Sequence, residues 1–107
     1  MQTFNLKDYT GGWIAGAFEP TILQTRDFEV SVKQYTQGEY QKKHVHHKAD
    51  ELSIIVKGSA RMNGKIYKEN DIILIPKGEA TDFYPLEDET ITCVIKTPSV
   101  PGDKYFV

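Results

Sequence analysis

The chain has 107 residues, 39% of them hydrophobic, and a formal net charge of −2 at pH 7. A chain of this length buries roughly two thirds of its unfolded surface, so one domain covering residues 1–107 can form a core without disulfides or structural metals. The near-neutral charge excludes the dense basic face that nucleic-acid binding needs, although Lys42, Lys43 and Lys48 form a local patch.

The cysteine content and the amino-terminal sequence favour a cytoplasmic protein. Cys93 is the single cysteine, so no intramolecular disulfide can form, and its surroundings, TITCVIK, predict a small apolar side chain in a strand. The segment MQTFNLKDYT lacks the basic and then apolar pattern of a signal peptide. No apolar run approaches the length of a membrane span, so no membrane partner is expected.

Strands are predicted along almost the whole chain, and no segment has a helical pattern. An amino-terminal arm, residues 1–23, contains the first predicted strand at residues 13–18. In the next strand, residues 27–35, apolar and polar side chains alternate, which is typical of a strand with two different faces. Further strands are predicted at residues 44–46, 52–56, 72–75 and 90–96.

A β-hairpin and an extended tail complete the predicted elements. Asn63-Gly64, between short strands at residues 60–62 and 65–67, has the composition of a type I′ turn. Many short strands separated by turn signals are typical of a sandwich or barrel. The tail, residues 97–107, contains two prolines and a glycine and is expected to cross the surface as an extended strap.

The segment GEYQKKHVHHKADELSIIVKG contains a group of potential metal ligands. His44 and His46 are two residues apart, so their side chains point to the same side of a strand. Glu51 adds a carboxylate from the neighbouring strand. Two imidazoles and one carboxylate form a face with open positions that suits a first-row transition metal. A bare H-x-H pair also occurs in exposed turns, so its context decides between the two interpretations.

That context resembles the first signature of the cupin superfamily. The spacing G-x5-H-x-H-x4-E-x6-G is matched without a gap by Gly38, His44, His46, Glu51 and Gly58. The resemblance implies that the two histidines and the glutamate are the metal ligands. It also implies an all-β fold, the double-stranded β-helix or jelly-roll barrel.

The second cupin signature, G-x5-P-x-G-x2-H-x3-N, is matched only in part. Pro76 and Gly78 are in place, but Asn70 replaces the opening glycine, Thr81 the histidine and Pro85 the asparagine. Asparagine tolerates the left-handed backbone of a turn glycine, so the turn at residue 70 is expected to form. A threonine hydroxyl is a poor ligand beside an imidazole, so the site has three protein ligands and an open position.

Two neighbouring residues are alternative candidates for the site. His47 directly follows His46, so on a regular strand it points away from the ligand pair. Asp82 follows Thr81 and would face away from the pocket in regular alternation. A local bulge would turn Asp82 inward, where its carboxylate would replace the missing histidine.

The resemblance places a small-molecule pocket in the mouth of the barrel. Arg61 is a candidate to contact a carboxylate or phosphate group of a ligand. For most of the other candidate wall residues, taken one by one, plain core packing is the favoured interpretation. The residues expected to line the pocket are Tyr40, Ile54, Arg61, Met62, Phe83 and Cys93.

Two functions are consistent with these features. The first is an enzyme of isomerase, epimerase, dioxygenase or lyase type, in which a bound Fe, Mn, Ni or Zn ion polarises an oxygen of a small oxygenated substrate or binds O2. A sugar or sugar-nucleotide is the expected substrate. The alternative is a non-catalytic cupin that binds or sequesters a small molecule. A homodimer is also expected, with the apolar strand at residues 13–18 and the aromatic tail as its contact surface.

Overall fold

The computed structural model describes all residues, 1–107, and consists almost entirely of strands. Two short 3-10 turns, Leu6–Asp8 and Thr10–Gly12, precede the first strand, and no helix is long and apolar enough to cross a membrane. The strands are β1 (Trp13–Gly16), β2 (Leu23–Gln24), β3 (Glu29–Tyr35), β4 (Gln41–Val45), β5 (Asp50–Lys57), β6 (Ser59–Met62), β7 (Lys65–Lys68), β8 (Ile72–Ile75), β9 (Thr81–Pro85), β10 (Thr90–Thr97) and β11 (Tyr105–Phe106).

The strands form two sheets that face each other. The larger sheet has the order β2-β1-β3-β10-β5-β8 and the smaller one β11-β4-β9-β6-β7. All pairs of named strands are antiparallel except β1 with β2. Consecutive strands such as β3 and β4 or β5 and β6 lie in different sheets, so the chain crosses repeatedly between them. This arrangement confirms the predicted all-β jelly-roll barrel.

The predicted turns have the expected backbone. Asn63 and Gly64 have φ values of 49° and 80°, which confirms the hairpin between β6 and β7. Asn70 has a φ of 77°, so asparagine does take the left-handed conformation of the turn before β8. At Gly58, between β5 and β6, φ is 81° and a Cβ atom would lie 2.8 Å from the carbonyl oxygen of Glu89. The crossing from one sheet to the other therefore requires glycine there.

Three strands were not predicted from the sequence. β2 and β11 have only two residues each, and β9, with the sequence TDFYP, has no alternation of apolar and polar residues. β11 pairs with β4, with Tyr105 opposite Val45 and Phe106 opposite His44. The tail therefore extends the smaller sheet as an edge strand and is more than a surface strap.

The hydrophobic core lies between the sheets. Its buried members are Ile55, Ala60, Met62, Ile75 and Phe83, contributed by strands of both sheets. Alternation along each strand decides which side chains enter it, because successive residues point to opposite faces. Further along the inner faces, the side chains become polar.

The outer face of the larger sheet is apolar and uncovered. Ile72 and Leu74 on β8 are 65% and 63% exposed, and they pair with Ile54 and Leu52 on β5. The outward residues of β10 and β3, including Cys93 and Val32, continue the surface without a charge. Charged residues lie only at the two ends of this face, Asp50 opposite Thr97 and Lys57 opposite Ile91. An apolar face of this kind is typical of an interaction site.

We propose that a second copy of the chain covers this face. An uncharged face can pair with itself about a two-fold axis without bringing like charges together, which suits a homodimer. The aromatic residues expected at the interface are arranged differently. Trp13 is half-buried and lines the internal cavity, whereas Tyr105 and Phe106 are exposed at the edge of the smaller sheet.

We expect Leu74→Glu to dissociate this dimer, because the substitution places a charge on the most exposed part of the apolar face. Light scattering should give the wild type about twice the 12.2 kDa chain mass and the variant the mass of one chain. Ile66→Glu is the matched control, since Ile66 is 64% exposed on β7 of the other sheet. A wild type that is monomeric at micromolar concentration would contradict the proposal.

Candidate metal and ligand site

A cavity of about 470 Å³ lies between the two sheets beside the core. The inner faces of β3, β5 and β10 form one wall, and β4, β6 and β9 form the other. His44, His46 and Glu51 all line this cavity, and they are only 6%, 5% and 9% exposed. The structure therefore brings together the three residues that the sequence predicts as metal ligands.

Backbone carbonyl groups orient both histidine rings. His44 Nδ1 lies 2.7 Å from the carbonyl oxygen of Lys42, and His46 Nδ1 forms a short hydrogen bond with the carbonyl of Asp103. Because a carbonyl oxygen only accepts, each Nδ1 must carry a proton and donate it. In a neutral ring, each Nε2 then has a free lone pair, which is the form that binds metals.

The protonation states at neutral pH suit ligand binding. Burial lowers the pKa of His44, with a further contribution from the nearby positive charge of Lys104, so its ring is neutral. Burial alone would raise the pKa of Glu51, but the contact with His46, the hydroxyl of Ser53 and the charge of Lys96 together lower it. Glu51 is therefore an ionised carboxylate at the cavity wall.

His46 Nε2 is buried without a hydrogen bond, although it lies 3.3 Å from Oε1 of Glu51. A lone pair that faces a carboxylate oxygen is repelled by it. The contact is favourable only when a cation lies between the two atoms, either a proton on the ring or a metal ion. As positioned, the side chains do not form a ready group of three metal ligands from His, Cys, Asp or Glu.

Asp103, in the tail, positions the loop that carries His46, and the sequence did not predict it. Its carboxylate accepts hydrogen bonds from the backbone N–H groups of His47, Lys48 and Ala49, at 2.9 to 3.0 Å. Gly78 donates its N–H to the carbonyl of His46 at 2.7 Å, which ties the two sequence motifs together. The only sequence signal for Asp103 was its place in a Gly-Asp pair after a proline.

Thr81 occupies the position expected of the fourth ligand. It pairs with His44 across β4 and β9, lines the cavity and is 8% exposed. Asp82 does not replace it, because its side chain points away and accepts the N–H of Asn63 at 2.7 Å. His47 also lies outside the cavity, exposed and packed against Tyr105 with ring centroids 4.6 Å apart. Alternation along β9 accounts for the opposite directions of Thr81 and Asp82, because the extra residue of the β4–β9 register shift lies on β4, between Gln41 and His44.

Two of the six predicted wall residues, Met62 and Phe83, line the cavity. The side chains of Ile54, Arg61 and Cys93 do not, because each occupies an outward position of its strand. On β5, β6 and β10 the inward positions belong to their neighbours in sequence. The sequence alone did not establish which of the two alternating faces enters the barrel.

Tyr40 also lies outside the cavity, on the outer surface of the smaller sheet. It is 54% exposed and stacks on Tyr84, with ring centroids 5.2 Å apart. Arg61 lies above the same Tyr84 ring at 5.0 Å. The interaction of aromatic rings and a guanidinium group explains this surface cluster and leaves no role for Tyr40 or Arg61 in the cavity.

Polar side chains of β3 also line the cavity, although they were not among the residues predicted to do so. Lys33 and Tyr35 point inward, while the apolar Val30 and Val32 face outward. Burial raises the pKa of Tyr35 to about 12, and its oxygen accepts a hydrogen bond of 2.7 Å from Gln41. The phenol is thus a neutral group with its proton available to a ligand.

Comparison with known proteins establishes the fold. No protein-family model and no curated protein matches the chain. A solved protein with a double-stranded β-helix domain from Klebsiella pneumoniae has 20% identity and a TM-score of 0.70, over 95% of this chain and 94% of that one. A cupin-2 domain protein from Shewanella frigidimarina has 18% identity and a TM-score of 0.59, over 71% and 76%.

The DMSP lyase DddQ from Ruegeria pomeroyi is another match, with 16% identity and a TM-score of 0.73. The match covers 89% of this chain and 49% of DddQ, so the chain spans about half the length of that protein. These likenesses confirm that the chain has the double-stranded β-helix fold of the cupins, as the first motif predicted.

We expect Asp103→Ala to lower the free energy of unfolding by about 1–3 kcal/mol, because three backbone N–H groups lose their acceptor. Asp103→Asn, which keeps one carbonyl oxygen, should give an intermediate value. Denaturant unfolding measures both, and amide exchange should become faster at residues 47–49.

The Asp103 carboxylate also makes the stability of the protein depend on pH. Burial alone would raise the pKa of Asp103, but its hydrogen bonds to the backbone outweigh burial and lower the pKa. Its stabilisation is therefore present above the ordinary carboxyl pKa of about 3.9 and is lost as the pH falls through the lower folded value. The exposed Asp88 makes no hydrogen bond, so Asp88→Ala is the control. Equal stability of the Asp88 and Asp103 alanine variants would refute the role of Asp103.

Proposed function

We propose that His44, His46 and Glu51 bind one divalent transition metal and that the protein is an enzyme acting on a small oxygenated molecule in the cavity. The observation that carries the proposal is the buried Nε2 of His46, which faces Glu51 at 3.3 Å without a hydrogen bond. A metal ion bound by both atoms removes the repulsion between them and satisfies both.

The donor set fits the chemistry of such a metal. Two imidazole nitrogens and a carboxylate oxygen suit Fe, Mn, Ni or Zn. Ligand bonds of about 2.0–2.2 Å can join one ion to two atoms separated by 3.3 Å. The hydrogen bonds at Nδ1 of both rings are the supporting contacts that orient metal-binding histidines. The His44 and His46 rings lie side by side, with centroids 5.2 Å apart, so both would be available to the same ion.

The surrounding residues provide the rest of a reaction site. A bound divalent metal supplies a Lewis acid that polarises a carbonyl or hydroxyl oxygen. Thr81 leaves the fourth position open, since its hydroxyl donates to the carbonyl of Asp82 at 2.8 Å. Tyr35 can donate a hydrogen bond to a substrate oxygen, and Met62 and Phe83 exclude water from the inner end.

A sugar or sugar-nucleotide, handled by an isomerase, epimerase, dioxygenase or lyase reaction, remains the proposed substrate. A cavity of about 470 Å³ is within the size range of small-molecule sites. DddQ, which shares the fold, is a DMSP lyase, so proteins of this shape include enzymes.

A non-catalytic binding protein is the second candidate. Thr81 in place of a histidine and the lack of a ready group of three ligands both favour it. In that case the His46 ring donates a hydrogen bond to the Glu51 carboxylate, and the cavity binds a small molecule without metal. Metal content distinguishes the two candidates.

We expect protein purified without chelators to contain one transition metal per chain. His46→Ala and Glu51→Gln should each lower metal affinity by more than the roughly 10–100-fold typical of lost supporting contacts, because each removes a direct ligand. His47→Ala is the matched control, since His47 is adjacent in sequence but lies outside the cavity. Elemental analysis and metal titration give both quantities.

Metal content that stays the same in a His44→Ala, His46→Ala double variant would exclude this site. A metal-free wild type that does not bind added Fe, Mn, Ni or Zn would favour the binding protein over the enzyme.

We expect Thr81→His to tighten metal binding, because Thr81 faces the cavity opposite His44 and an imidazole there adds a fourth ligand. Asp82→His is the control, since residue 82 points outward. Competition with a chelator measures the affinity, and equal affinities for both variants would show that position 81 does not reach the metal.

A further inference from the structure

The cavity contains a cluster of positive charge that the proposed metal site does not use. Lys33 on β3 and Lys96 on β10 both place their ammonium groups over the ring of Trp13, at 5.2 and 5.1 Å from its centroid. The two charges therefore lie within about 10 Å of each other. Lys104, in the tail, also lines the cavity.

The two strand lysines differ in their partners. Lys96 lies 3.7 Å from Glu29, whose other oxygen accepts the hydroxyl of Ser99 at 2.8 Å. Lys33 takes part in none of the ion pairs of the structure. Burial lowers the pKa of Lys33, and the charges of Lys96 and Lys104 lower it further. The carboxylates of Glu51 and Glu29 offset this lowering only in part, and neither forms an ion pair with Lys33, so its ammonium group favours an anionic ligand.

An unpaired hydroxyl borders the cavity next to Lys33. Thr92 is the direct neighbour of Lys33 in the β3–β10 ladder, and it is 2% exposed. In the whole protein, only two buried side-chain polar atoms lack a hydrogen-bond partner, Thr92 Oγ1 and His46 Nε2. Both residues line this one cavity. Buried hydroxyl groups normally have a hydrogen-bond partner, so the Thr92 hydroxyl indicates a second polar contact for a ligand, in addition to His46.

We infer that Lys33 and Thr92 form a subsite for the carboxylate group of a small organic acid. The carboxylate accepts hydrogen bonds from the Lys33 ammonium and, after rotation of its side chain, from the Thr92 hydroxyl. Lys96 and Lys104 add positive potential around it. The subsite needs no metal, but its use by an enzyme rests on the proposed function. Within the proposed function, this subsite narrows the substrate to a hydroxy or keto acid such as a sugar acid, with its carboxylate at Lys33 and a second oxygen near His44, His46 and Glu51. It disfavours a sugar-nucleotide, because the cavity does not suit phosphate groups.

The surrounding charges favour a carboxylate over a phosphate. The cavity also contains the carboxylates of Glu29 and Glu51, which oppose a dianion more strongly than a monoanion. Neither arginine of the chain, Arg26 nor Arg61, lines the cavity, and arginine is the side chain most suited to bidentate phosphate binding.

The test uses metal-free full-length protein, with glycolate and pyruvate as carboxylate probes, glycerol as the uncharged probe and inorganic phosphate as the competing anion. Calorimetry measures affinity, and the emission of Trp13, the single tryptophan, reports binding beside the lysines. We expect saturable binding of a carboxylate, weaker binding of phosphate and none of glycerol.

Variants assign the binding to the subsite. Lys33→Met should weaken carboxylate binding at least about tenfold, because it removes a charged hydrogen-bond donor. Lys43→Met, an exposed lysine on β4, is the matched control and should bind as the wild type does.

Thr92→Val separates a role in binding from a role in folding. The substitution keeps the side-chain shape and removes a buried hydroxyl without a partner, so the melting temperature should stay the same or rise. Carboxylate binding should weaken by about two- to tenfold, the value of one lost hydrogen bond. A hydroxyl with a purely structural role would give the opposite result, a lower melting temperature and unchanged binding.

The inference is overturned if no carboxylate binds at millimolar concentration, if Lys33→Met binds as tightly as the wild type, or if phosphate binds more tightly than both acids. All titrations are done without metal, so they are independent of the metal analysis of His46→Ala. A failed metal site with intact carboxylate binding, and the reverse, are therefore distinguishable.

Discussion

The contact between Asp103 and the loop of residues 46–49 holds the candidate site together. The loop presents His46 to the cavity, but its backbone N–H groups have no acceptor within their own strand. The Asp103 carboxylate accepts hydrogen bonds from three of these N–H groups, and the backbone carbonyl of Asp103 accepts a hydrogen bond from Nδ1 of the His46 ring. Without this contact the ring is free to rotate, and Nε2 no longer has a defined direction toward Glu51.

The barrel is polar inside at the site and apolar outside. On β3, the inward residues include Glu29 and Lys33, while Val30 and Val32 face outward. A sheet with one solvent-exposed face normally has apolar residues on its inner face and polar residues on its outer face. Because a ligand cavity needs charged and hydroxyl groups on the inner face, the apolar residues of these strands lie on the outer face. The same alternation thus produces both the polar cavity and the exposed apolar outer face.

Much of the fold and part of the site could be predicted because the signals are local. The Asn63-Gly64 turn, the left-handed Asn70 and the convergence of His44 and Glu51 each depend on residues close in sequence or on one motif. Which side of a strand faces the barrel interior could not be predicted in this way, since it depends on the register with strands that are distant in sequence.

The residues that the sequence did not predict share this dependence on distant partners. Lys33 and Thr92 are neighbours only through the pairing of β3 with β10. Asp103 is 57 residues from His46 along the chain, and no short motif connects them. Tyr40 was expected to line the cavity, but it stacks on Tyr84 of β9, 44 residues further along the chain.

The position of Asp103 late in the chain also has a consequence for the timing of assembly. A protein is synthesised from its amino terminus, and His44, His46 and Glu51 leave the ribosome well before the segment that orients them. An emerging chain therefore has the histidines but lacks the contact that directs them. The direction of His46 Nε2 toward Glu51 is therefore established only after residue 103 has left the ribosome.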